Sequence, residues 1–121
     1  MNRVCLRDYL HLGRPIVSDG AMATALYEKG YYINRSFEEL CLTEPQAVKE
    51  VLNEFKRAGA ELLTTNTFSA TKPKLTEFGL QGEQRALLEA AVRIAREVAQ
   101  DDAYVLGLVG PLPVLIEPFG P

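Results

Sequence analysis

The chain has 121 residues, a net charge of -3, 47% hydrophobic residues and 24% charged ones. That is enough for one ordinary domain with a packed core, while the mixing of Lys and Arg with Asp and Glu leaves no basic stripe for nucleic acid. No apolar run reaches the ~18 residues of a membrane helix, and Arg3, Arg7 and Asp8 interrupt the opening segment Met1 to Gly13, so it is not a secretory signal and a cytoplasmic protein is expected.

In chain order, residues 4 to 12 read as a short helix with Gly13 as its stop. Pro15-Ile16-Val17-Ser18 reads as a first buried strand, ending in the tight turn Asp19-Gly20. Residues 21 to 29 make a helical turn or two, and Tyr31 to Leu42 a loop with a helical turn near Phe37 to Cys41. Thr43-Glu44-Pro45-Gln46 has the capping-box pattern, with proline in the first helical turn. Behind it Val48, Val51, Leu52 and Phe55 recur at helical spacing, and Gly59 ends the helix. Glu61 to Thr65 is a second strand, running into the polar turn Asn66-Thr67-Phe68-Ser69. Thr71 is placed to cap a short helix over Lys74 to Phe78. A long helix from about Glu83 to Ala99 presents Leu88, Ala91, Val92, Ala95 and Val98. Tyr104 to Val109 is a third strand, broken by Gly110-Pro111, and the tail from Leu112 to Pro121 has no periodicity.

Strands alternating with helices on long connections imply a parallel sheet with helices outside. The turn after the first strand lacks the glycine pattern of a dinucleotide-binding sheet. Each strand ends in a polar or glycine-rich turn, as the active face of a (β/α) barrel requires; an open α/β sheet is the alternative. Asp19 is a candidate to accept from a substrate ammonium group, or else to anchor its own turn. Asn66 and Thr67 either orient a ligand or close a strand-end network. Cys5 and Cys41 read as free thiols, and His11 as a surface or packing residue. Glu61 and Glu117 read as surface or loop charges. Tyr31 and Tyr32 flank the site mouth or pack in the loop. A barrel lyase or hydrolase built on Asp19 needs a partner acid or base at a neighbouring strand end, and Thr65-Asn66 and Val109-Gly110 supply none.

Four motifs carry a resemblance: Asp19-Gly20-Ala21-Met22-Ala23-Thr24, Asn34 to Leu40, Ala58 to Glu61 with Thr64 to Phe68, and Gly107 to Pro111. Together, over residues 14 to 121, they resemble the homocysteine S-methyltransferase family, and most of all its class fused to a methylenetetrahydrofolate reductase. Ala23 stands where that family usually has glycine. The resemblance implies that residues 1–121 are the N-terminal portion, about three strands, of a (β/α)8 TIM barrel. It also implies transfer of a methyl group to the zinc-bound thiolate of homocysteine, giving methionine. Asp19, Gly20, Ala21, Met22, Ala23, Asn66 and Thr67 are then the substrate-binding residues, with backbone N–H groups of Ala21 to Ala23 meeting the substrate carboxylate. No catalytic residue and no zinc ligand is expected in this segment, because the family's three zinc-binding cysteines lie beyond the third strand. The implied partners are homocysteine, a methyl donor, the remainder of the barrel and a fused reductase domain. On this reading the fragment alone is inactive. The alternative is a non-catalytic half-barrel that works by association with a partner or itself.

Overall fold

The computed structural model describes residues 4–32 and 34–120; residues 1–3, 33 and 121 of the expected domain lie outside the described set. The elements are helices α1 (Leu6–Leu10), α2 (Met22–Glu28), α3 (Leu40–Thr43) and α4 (Pro45–Arg57), strand β1 (Leu62–Thr64), helix α5 (Lys72–Thr76), a 3-10 turn (Gln81–Glu83), helix α6 (Gln84–Ala99) and strand β2 (Tyr104–Leu106). β1 and β2 are parallel, with Leu62 opposite Tyr104, Leu63 opposite Val105 and Thr64 opposite Leu106.

The first expected strand is reduced to a single parallel bridge, Ser18 to Leu62. Its backbone bonds run from Glu61 N and Leu62 N to Val17 O and from Asp19 N to Leu62 O. Pro15 has no N–H to extend the ladder, and the chain turns away at Gly20. The segment still flanks β1, so the expected parallel order holds across these three stretches.

Side chains alternate across a strand, and the two faces of β1 are dressed differently. Leu63 joins the main core with Leu26 of α2, Leu40 of α3, Val48, Val51 and Leu52 of α4, and Ile94 and Val98 of α6. Leu62 and Tyr104 point the other way, where Tyr9 of α1 covers them with help from Leu6 and Ile16. Tyr9 and Tyr104 meet edge to face, 5.5 Å between ring centroids. The Tyr9 hydroxyl donates to Glu61 Oε1 at 2.5 Å, Glu61 Oε2 accepts from Val17 N, and Arg14 pairs with Glu61 at 3.6 Å. Glu61 is therefore the clasp that holds α1 under the sheet rather than an idle surface charge.

Several local expectations are corrected. Thr43 does not cap α4: it closes α3, its hydroxyl donates back to Glu39 O, and Glu44 takes the N-cap position without a side-chain bond. Pro45 does start α4, where its missing N–H does no harm. Thr71 precedes α5, but its hydroxyl is buried without a hydrogen-bond partner among the described residues, and α5 begins two residues earlier than expected. On α6 the buried stripe is Leu87, Ala90, Ala91, Ile94, Ala95, Val98 and Ala99, while Leu88 and Val92 face outward. Ala91, Ala95 and Val98 are buried as expected; Leu87 and Ile94 take the places expected of Leu88 and Val92. Among the described residues no helix is long and apolar enough to cross a membrane.

Candidate functional site

A cavity of about 400 Å³ opens at the carboxyl ends of β1 and β2. Four segments converge on it. The turn Gly20–Ala23 leads into α2; residues 35–38 precede α3; Thr64, Thr65 and Asn66 leave β1, followed by Phe68 and Ser69; Leu108 follows β2, and Lys74 and Phe78 come from the α5 region.

The turn is fixed from both sides. A Cβ on Gly20 would stand 2.8 Å from the Phe55 ring of α4, so the backbone there lies flat against the core. Asp19 accepts from Thr64 N at 2.8 Å and from Thr64 Oγ1 at 3.0 Å through Oδ2, while Oδ1 accepts from Ser18 Oγ at 3.2 Å. Its carboxylate thus ties the end of the first stretch to the end of β1, and it does not line the cavity.

The exit of β1 is a buried polar network. Thr65 and Thr67 share a hydroxyl bond at 2.7 Å; Thr67 donates to Leu108 O at 2.6 Å, and Leu108 N donates to Thr65 Oγ1 at 3.0 Å. Thr67 therefore joins the ends of β1 and β2 and does not line the cavity. Gly110 continues that junction, since a Cβ there would fall 1.8 Å from the Phe68 carbonyl oxygen. Asn66 lines the cavity and donates from Nδ2 to Phe37 O at 2.9 Å.

Residues 36–38, within the Asn34 to Leu40 motif, carry groups that were not among the expected site residues. Ser36 and Glu38 are buried. Glu38 Oε2 accepts from Ser36 Oγ at 3.0 Å and Oε1 from Ser69 N at 2.8 Å. Burial pushes the Cys41 thiol up to about 11, against a smaller opposing contribution from the Asn66 amide. Cys5, just before α1, is exposed and bonds Asp8. His11 is an exposed residue whose Nδ1 contacts Arg7 O. Tyr31 packs on the main core and Tyr32 stacks edge to face on Tyr27, so neither enters the cavity lining. Glu117 is exposed.

Among the described residues no three His, Cys, Asp or Glu side chains are grouped to hold a metal ion. Of the two thiols one is exposed and one is buried beside Asn66. This donor set does not fit a zinc ion.

The homocysteine S-methyltransferase family model matches residues 16–120. Betaine–homocysteine S-methyltransferase 1 of Xenopus tropicalis is 36% identical over 116 residues, covering 89% of this chain and 28% of that protein. Homocysteine S-methyltransferase YbgG of Bacillus subtilis (strain 168) is 36% identical over 112 residues, covering 88% and 35%. The metallated crystal form of the homocysteine methyltransferase MmuM from Escherichia coli superposes with a TM-score of 0.74 at 30% identity, covering 88% of this chain and 41% of that one. The chain thus spans about a third of the length of the curated relatives it matches.

Proposed function

Because the chain belongs to the homocysteine S-methyltransferase family, we propose that the cavity at the ends of β1 and β2 is its amino-acid site, where homocysteine is held for methylation to methionine. The observation that carries this reading is the convergence of the Gly20–Ala23 turn with Thr64, Thr65 and Asn66 on one cavity. The parallel stretches and outer helices are then the first part of a (β/α)8 barrel, whose ligands gather at the carboxyl ends of its strands. In this reading the turn and Asn66 shape the pocket, Asp19 fixes the turn through Thr64, and Thr67 holds the strand ends together.

The reaction joins the homocysteine sulfur to a methyl carbon as the bond from that carbon to the donor breaks. The thiolate is the nucleophile, and zinc, when bound, deprotonates a coordinated thiol. Its ligands, and the donor's contacts, we place outside the described residues. What these residues contribute is position: a fixed amino-acid end lets the sulfur meet the methyl carbon in line. A cytoplasmic setting suits an enzyme that works on a reduced thiol.

The test is calorimetric titration of the purified chain with L-homocysteine and L-norleucine under reducing conditions. Saturable binding of homocysteine, weakened by Asn66→Ala without loss of fold, is expected. Absence of binding with the fold intact overturns the reading. A second reading, association without catalysis, draws on the exposed apolar side chains Val109, Leu115, Ile116 and Phe119 in the tail.

A further inference from the structure

We propose that α1 and the residues that follow it to Ser18 form a strap across the amino ends of β1 and β2, latched by the Glu61 carboxylate and released when that carboxylate is neutralised. The cavity lies at the other end of the same strands. The strap leads straight into Asp19, so its release slackens the chain that enters the Gly20–Ala23 turn.

Little besides the latch holds α1 in place. A helix of five residues is not stable by itself in water, and Tyr9 is the one residue of Leu6–Leu10 that is buried. Leu10 and Leu12 are 57% and 63% exposed. Among the described residues the backbone bonds of α1 close within residues 5–12. Its docking consists of the Tyr9 ring against Leu62 and Tyr104, flanked by Leu6 and Ile16, and of the Tyr104 hydroxyl donating to Val4 O at 2.7 Å. Segments with so few buried contacts lie at the low end of local stability.

Glu61 joins three points of the strap at once. Its Oε1 accepts from the Tyr9 hydroxyl, which accepts in turn from Arg14, and its Oε2 accepts from Val17 N at 3.2 Å. Arg14 also pairs with Glu61 at 3.6 Å and lies over the Tyr9 ring, 4.6 Å from its centroid. Ionisation is what makes such bonds strong. The Tyr9 hydroxyl and the Val17 N–H hold the Glu61 carboxyl below its ordinary 4.5; burial opposes them and Arg14 assists. A carboxyl lowered by folding stabilises above its ordinary value and loses that contribution as pH falls below it. Tyr104 of β2 also faces the Tyr9 hydroxyl. Asp8 and His11 are bonded within residues 5–11, to Cys5 and to Arg7 O.

A nitroxide spin label on Cys5, which is exposed just before α1, follows the strap in the purified 121-residue chain. Label mobility and far-UV circular dichroism are recorded from pH 7 to about 3.5, across the carboxylate range, in wild type, Glu61→Gln and Glu97→Gln. Wild type should pass from a mostly immobilised to a mostly mobile label while its dichroism holds. Glu61→Gln should be mostly mobile already at pH 7 and change no further. Glu97 pairs with Lys49 between α6 and α4, so Glu97→Gln should follow wild type. A wild-type label that is mobile at pH 7, that stays immobilised throughout, or that is freed only as dichroism is lost overturns the proposal. A Glu61→Gln profile coinciding with wild type does the same. Should Glu61→Gln fail to fold, Tyr9→Phe keeps the ring and removes the hydroxyl donor. Its release should begin at a higher pH than in wild type, and an unshifted profile overturns the latch.

Discussion

Cys41 shows how far one buried residue can tie stability to pH. Its thiol sits beside Asn66, 3% exposed, and burial lifts it from the ordinary 9.0 to about 11. The folded chain disfavours the thiolate, so this contribution is complete below about pH 9 and is lost as pH rises toward 11. Two units correspond to about 2–3 kcal/mol at full loss. Thermal melts between pH 8 and 10.5 should show wild type losing more stability than Cys41→Ala, whatever their difference at neutral pH. Parallel pH profiles would show that the thiol is not held neutral by the fold. Under native conditions Cys5 should react with iodoacetamide and Cys41 should not, because the thiolate is the reactive form.

At the scale of elements, α6 tests which leucine of an adjacent pair belongs to the contact face. Leu87 is 1% exposed and Leu88 is 38% exposed, although they are neighbours in sequence. Leu87→Ala should destabilise by about 2–5 kcal/mol and Leu88→Ala by no more than about 0.5 kcal/mol, read by urea unfolding. Equal losses would return the face to the one the sequence suggests. The long elements were legible in the sequence because periodicity over four turns averages out single errors: α4 and α6 fall within a residue or two of their expected bounds. The first strand was not, because a four-residue apolar run carries no information about whether a ladder forms around it. The capping pattern at Thr43 misled because it encodes a bond without encoding which helix Thr43 belongs to. Of the cavity, the Gly20–Ala23 turn and Asn66 were visible through motifs. Ser36 and Glu38 fell within the Asn34 to Leu40 motif but were not singled out as site residues, since they lie in a loop with no period, and only the fold shows that Glu38 turns in while Glu39 stays partly outside.

At the scale of the whole molecule, the helical face is closed and the tail is not. Val109, Ile116 and Phe119 are 80% exposed or more, an unusual density of large apolar groups for a solvated surface. Ile116→Lys with Phe119→Lys should therefore raise the solubility limit and shift a concentration-dependent elution toward the monomer, measured by size-exclusion chromatography with light scattering. A wild type that stays monomeric at high concentration would show that the tail is tolerated in water. The parallel pairing has a different consequence, for the order of events during folding. Ser18 meets Leu62, and Leu62 meets Tyr104, so each pairing closes a loop of about 40 residues, and among the described residues no hairpin offers a short first step. The helices between them can form locally within about a microsecond, long before the backbone finds its register. The cavity at the sheet's end therefore depends on long-range pairings and not on any one local element.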